Sequence, residues 1–157
     1  AAGDGSPSAF DFPRAWLVGD QGERNYDFSF SGLKTAVMRQ IKELFPGARP
    51  GEEIPDGLPV ADLAASFQAA VVDVLIGKTV RAAEMFKATA IFIAGGVAAN
   101  KPLREGIIER ASRPVRAPPL SLCTDNAAMI AAAGYFRFRA GQRDDPDMDV
   151  LATWPLT

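Results

Sequence analysis

The stretch Ala90–Arg104, Ala-Ile-Phe-Ile-Ala-Gly-Gly-Val-Ala-Ala-Asn-Lys-Pro-Leu-Arg, leaves this chain few folds to choose from. Ala90 to Ala94 is a short unbroken apolar run, which suits a strand buried on both faces of a parallel sheet. Gly95-Gly96 removes two side chains where the chain must turn, so a ligand could lie against bare backbone. Asn100 is a good N-cap and Pro102 fits the first turn of a following helix. Strand, glycine turn and helix start aim amides and a positive dipole end at one spot, which favours an anion or a nucleotide. The same residues also describe an ordinary tight turn with an ordinary cap, since glycine pairs after strands are common in α/β proteins.

The rest of the 157 residues fits one globular domain, with 48% apolar content against 23% charge. No run reads as the ~20 apolar residues of a membrane span, so no membrane partner is expected. The small, polar start lacks the basic and apolar regions of a signal peptide; it also lacks an initiator Met, which reads as a fragment. Cys123 is the only cysteine, so an internal disulfide is excluded and a reducing cytoplasm fits. No histidine is present, which removes Ser-His and Cys-His nucleophile pairs and His-based zinc motifs within the chain. A net charge of −2 gives no global attraction to nucleic acid. The late arginines, Arg104, Arg110, Arg113, Arg116, Arg137, Arg139 and Arg143, read as solvated helix surface and helix-end cations.

In chain order, residues 1–9 read as frayed. Phe10–Val18 and Arg24–Phe30 read as two strands joined by a turn at Gly19-Asp20-Gln21-Gly22, with Tyr26, Phe28 and Phe30 alternating. Ser31 then caps a helix with a stripe of Leu33, Val37, Ile41 and Leu44. Residues 46–59 are a Pro/Gly-rich loop, separating a hairpin-plus-helix portion (1–45) from an α/β nucleotide-binding portion (60–157). A long helix follows from about Ala61 to Phe86, with Leu63, Phe67, Val71, Val74 and Leu75 on its buried side. Gly77-Lys78-Thr79 inside it imitates the end of a phosphate-binding loop. The match fails because Val72 stands where a glycine is required and the segment is mid-helix. Beyond the glycine turn come a helix at Lys101–Ser112, a strand at Pro114–Ala117, and a helix at Ala127–Phe138 capped by Thr124 or Asp125. Repeated strand–loop–helix units mark the class as α/β.

Four stretches in order then carry a resemblance: Phe-Ser-Phe-Ser-Gly-Leu-Lys-Thr-Ala (28–36), Asp-Leu-Ala-Ala-Ser-Phe-Gln (62–68), Gly-Gly-Val-Ala-Ala-Asn-Lys-Pro-Leu-Arg (95–104) and Leu-Cys-Thr-Asp-Asn-Ala-Ala-Met-Ile-Ala (122–131). Together they resemble the TsaD/Gcp family, once called glycoproteases or O-sialoglycoprotein endopeptidases and understood as tRNA threonylcarbamoyladenosine synthases. The resemblance implies part of the second RNase H-like lobe of an actin/Hsp70/sugar-kinase-like fold, without its N-terminal lobe. It implies a threonylcarbamoyltransferase that moves its group from threonylcarbamoyl-adenylate to the tRNA adenosine beside the anticodon. On that basis Asn100, with Gly95 and Gly96, contacts the adenylate or ATP, and Asp125 is one ligand of a divalent metal, iron or zinc. The family's His-x-x-x-His metal motif is missing here, so the fragment alone is expected to be inactive and metal-free.

By the same resemblance the partners are tRNA, a shorter paralogous dimerisation partner and a small P-loop ATPase. An open sheet edge adds the expectation of homodimers or strand exchange. Two other readings stay open: a non-catalytic scaffold paralogue, and the nucleotide-binding lobe of a sugar-kinase or Hsp70-like ATPase. The old protease label finds no support, because no histidine is present to activate a serine or cysteine.

Overall fold

The computed structural model describes residues 2–15, 26–49 and 51–147. Its elements are α1 (Phe30–Leu44), α2 (Val60–Met85), β1 (Ile91–Phe92), a 3-10 turn (Gly96–Ala99), α3 (Lys101–Arg110), β2 (Val115–Arg116), a second 3-10 turn (Leu120–Leu122) and α4 (Ala127–Arg139). β1 and β2 pair in parallel, Ile91 with Val115 and Phe92 with Arg116. The α/β class therefore stands, with very little strand among the described residues.

The long helix α2 is the axis, and it packs on two sides. One side joins Ile76 and Ala83 to Ile91, Leu103 and Ile107. The other joins Leu63 and Ala70 to Phe12 and Leu33. Ile76 and Ile107 are fully buried, and each such side chain stabilises the fold by about 1.5–3 kcal/mol. Packing on two sides explains why α2 is buried at Ala65, Ser66, Ile76, Lys78 and Ala83 as well as at Leu63 and Val74. The expected stripe also misplaces Phe67, which is 39% exposed and faces open grooves. By length and composition α2 is apolar enough to cross a bilayer, contrary to the sequence reading. Part of that apolar surface is buried in the two core clusters it joins, and part lines open grooves.

Several local expectations change. Residues 2–9 are pinned along α2: Ser6 N donates to Asp62 Oδ1 at 2.8 Å and Ser66 Oγ donates to Ser6 O at 3.1 Å. Phe10 N donates back to Ser66 Oγ at 3.1 Å, so this buried hydroxyl both donates and accepts. The expected strands at Phe10–Val18 and Arg24–Phe30 are not strands where they are described, at 10–15 and 26–29. The turn at Gly19-Asp20-Gln21-Gly22 lies outside the described residues. Phe28 and Phe30 stack at 6.1 Å on an exposed surface rather than alternating into a sheet. Helix α1 starts at Phe30 with Ser29 at its N-cap, so Ser31 lies within the first turn and does not cap.

Of the apolar run Ala90–Ala94, only Ile91–Phe92 is strand. Ile91 is buried while Phe92 is 74% exposed. The strand is thus covered on one face, because α2 and α3 pack there and nothing described covers the other.

Candidate functional site

The site begins where β1 ends. Gly95 adopts φ +81° and ψ 174°, a backbone region that essentially only glycine occupies. This sharp turn leads into the 3-10 turn, closed by Ala98 N donating to Gly95 O and Asn100 N donating to Val97 O, both at 3.0 Å. Only then does α3 start. Asn100 is its N-cap, as the sequence indicates: the side-chain oxygen accepts from Leu103 N at 3.0 Å, and Pro102 lies in the first turn. The Asn100 amide nitrogen donates to Gln68 Oε1 on α2 at 2.9 Å. An amide has two such hydrogens, so one donor remains for another partner.

Gly96, Val97 and Asn100 form one wall of a groove of about 700 Å³, whose floor is α2 at Phe67, Gln68, Val71 and Leu75. Phe30, Ala64 and Phe67 are shared with a neighbouring apolar groove of about 710 Å³ between α1 and the 54–58 loop. That second groove contains no residue of the glycine turn.

The other quoted motif, 122–131, is tied to this wall by one side chain. Arg104 is half-buried on α3 and its Nε donates to Ala98 O within the 3-10 turn. Its Nη2 donates to Pro118 O at 2.8 Å and to Cys123 Sγ at 2.9 Å. Cys123 is buried at 3% exposure, with Asp125 two residues beyond it. Arg104 is therefore not the solvated surface arginine that the sequence suggests. The available signal was its place on α3, between the buried Leu103 and Ile107 and one turn beyond the cap.

Asp125 is exposed, and the cap of α4 is neither it nor Thr124. Asn126 takes that role: its side-chain oxygen accepts from Met129 N at 3.0 Å, and its amide donates to Thr124 O at 2.9 Å. No group of three or more His, Cys, Asp or Glu side chains that could hold a metal occurs among the described residues. A bound catalytic metal normally takes about three protein ligands, so Asp125 by itself does not fit a complete metal site.

Two further polar anchors carry the frame. Asp73 on α2 accepts from Arg14 Nε and Nη2 at 3.3 and 3.2 Å, and its other oxygen lies 3.5 Å from Arg110 Nη2 on α3. Lys78, buried in mid-α2, donates from Nζ to the Asp27 carbonyl and sits 5.5 Å from the Phe28 ring centre. Burial chiefly, and Arg81 in addition, lower its pKa, while Asp27 acts the other way. The segment read as a failed phosphate loop thus holds the approach to α1 in place.

A parallel strand ending in a glycine turn, with a capped helix beside it and a long helix as floor, defines an α/β unit with a half-open groove. The family model described as TsaD, tRNA N6-adenosine threonylcarbamoyltransferase, matches residues 1–132, and the chain belongs to that family. A relative of that name from Thermomicrobium roseum is 51% identical over 99% of this chain and 45% of its own length. Those from Dehalococcoides mccartyi (47% identical, all of this chain) and Geobacillus kaustophilus (45% identical, 99%) are each matched over 43% of their length. The chain thus spans less than half the length of these curated relatives.

Proposed function

We propose that the chain forms one wall of the adenylate site of a tRNA N6-adenosine threonylcarbamoyltransferase. In the whole protein it binds threonylcarbamoyl-adenylate or ATP through Gly95, Gly96 and Asn100, for transfer of the threonylcarbamoyl group to tRNA. The observation that carries the reading is Gly96. Its φ is not in the left-handed region, and a Cβ there would meet nothing within 4 Å among the described residues. Among the described residues the fold gives no steric reason for glycine at this position, and bare backbone on the groove wall suits a ligand lying against the turn. The spare amide hydrogen of Asn100 on the same wall supports it.

The reading places the chain in the second RNase H-like lobe of an actin-like fold in the cytoplasm, with 60–157 as its nucleotide-binding portion. Asp125 supplies one ligand to a divalent metal, iron or zinc, whose other ligands come from elsewhere in the whole protein. The shorter paralogue and the P-loop ATPase are its partners. Alone, the chain is inactive and binds ATP no tighter than about millimolar, or about 4 kcal/mol, because one wall buries few ligand atoms. With Phe92 exposed and only β2 beside β1 among the described residues, it self-associates through that edge.

The test is Gly96→Val in the whole-length protein. A Cβ at this position meets nothing within 4 Å among the described residues, so the melting temperature should stay within a few degrees, while transfer to tRNA is lost through weakened adenylate binding. Full transfer at wild-type adenylate concentrations would overturn the assignment.

A further inference from the structure

We propose that Arg104 is a positioning residue that carries the setting of the glycine turn into the 118–126 loop, so that the two halves of the site move together. The inference rests on the reading that a nucleotide seats against Gly96 and Asn100. One guanidinium spans both elements: Nε holds the Ala98 carbonyl, and Nη2 holds the Pro118 carbonyl and the Cys123 sulfur. At its near end, Ala98 is 2% exposed and follows Val97 two residues before Asn100, both of which line the proposed nucleotide wall. At its far end, Cys123 is buried and also lies near the Pro118 and Pro119 carbonyls, at 3.9 and 3.6 Å from its sulfur. Cys123 thereby fixes the stretch that ends in Asp125.

The planar fork has a fixed geometry, so a shift of the 3-10 turn against α3 must either move the loop or break a charge-assisted bond. Only Thr124 separates Cys123 from Asp125, so little chain is left to absorb such a shift. A lysine keeps the charge, but as a point donor on a flexible stem it cannot hold both carbonyls and the sulfur at once.

Amide hydrogen exchange of the whole-length protein, with and without saturating ATP, tests this. In the wild type, ATP slows exchange across 96–100 and, by about tenfold, across 120–126. In Arg104→Gln the slowing at 96–100 persists and the slowing at 120–126 disappears. Arg104→Lys gives the same split, and it serves where the glutamine variant folds poorly. A merely structural arginine would raise exchange in both states and leave the ATP-dependent ratio at 120–126 unchanged, which overturns the proposal. Slowing at 96–100 without any at 120–126 in the wild type overturns it as well, as does loss of folding in both variants. Absence of slowing at 96–100 in the wild type strikes the nucleotide reading itself, and this inference falls with it.

Discussion

The amide of Asn100 joins two helices: its oxygen caps α3 through Leu103 N, and its nitrogen donates to Gln68 of α2 at 2.9 Å. The two jobs are chemically separable. Asn100→Ala loses both and costs about 1 kcal/mol, within the usual 0.5–2 range for a lost cap. Asn100→Asp keeps an oxygen for the cap, and its charge suits a helix start, but it has no hydrogen to give Gln68 or a ligand. The aspartate variant should therefore melt within about 0.5 kcal/mol of wild type and yet lose adenylate binding in the whole protein. Denaturant midpoints with ligand titration check this. Wild-type binding by Asn100→Asp would show that the donor is not used.

Gly95 and Gly96 look alike in the sequence and differ in the structure. Gly95 needs φ +81°, so Gly95→Ala should destabilise by on the order of 1–3 kcal/mol although the space around it is open. Gly96→Ala should change stability by no more than about 0.5 kcal/mol. Urea titrations of the two variants side by side decide it. Equal costs would mean that the turn is not built as described.

Local signals in this sequence were legible and distant partners were not. The Asn100 cap, with proline behind it, needed only neighbouring residues, and it stands as read. Helix α2 was found because its apolar pattern is long, yet its second buried side was missed. That side exists only because α3 crosses there, where a Cβ on Gly106 would come within 2.6 Å of Ile76 Cδ1. The N-terminal residues looked frayed because the groups that hold Ser6, Asp62 and Ser66, lie more than fifty positions away. Alternation at Tyr26, Phe28 and Phe30 resembled a strand, but Lys78 of α2 holds that segment as an extended entry to a helix. In Thr-Asp-Asn three residues could each have capped α4, and backbone geometry chose Asn126. Arg104 closes the 95–104 stretch, but the groups it holds at Pro118 and Cys123 lie fourteen and nineteen positions further on.

Lys78 gives the fold an alkaline signature. Burial lowers its pKa below 10.5 in the folded chain, Asp27 partly opposes this and Arg81 adds to it. Between the lowered value and 10.5 the unfolded chain holds more protons than the folded one, so the Lys78 contribution to stability rises with pH through that window. Below the window the cost of burying the charge is present in full; above it the cost is gone. Lys78→Met removes this titration together with the bond to the Asp27 carbonyl. The variant should be at least as stable as wild type at neutral pH, with the difference shrinking toward pH of about 10. Urea midpoints of both proteins across that range check it. A wild-type advantage at neutral pH would count against the burial cost.

Asp125 and Asn126 are neighbours, and only Asn126 ties its side chain into the start of α4. Asn126 holds the start of α4 by accepting from Met129 N, so Asn126→Ala should cost about 1 kcal/mol. Because no residue of α4 is buried, that loss should appear mainly as fraying of the helix. Asp125 is exposed, and among the described residues no hydrogen bond ties its carboxylate to the fold; its favourable position near a helix start is worth about 0.3–1 kcal/mol at most. If it is a metal ligand in the whole protein, Asp125→Ala should abolish threonylcarbamoyl transfer and lower metal stoichiometry while the melting curve barely moves. Asn126→Ala should do the reverse, softening α4 with transfer largely kept. For the present chain, Asp125→Ala should change nothing in metal content, because one carboxylate cannot retain an ion against about three competing ligand positions filled by water. Helical content by circular dichroism, metal analysis and transfer rate on the same two variants separate the tasks. Undiminished transfer in Asp125→Ala would remove the metal assignment and leave Asp125 as an exposed charge before a helix.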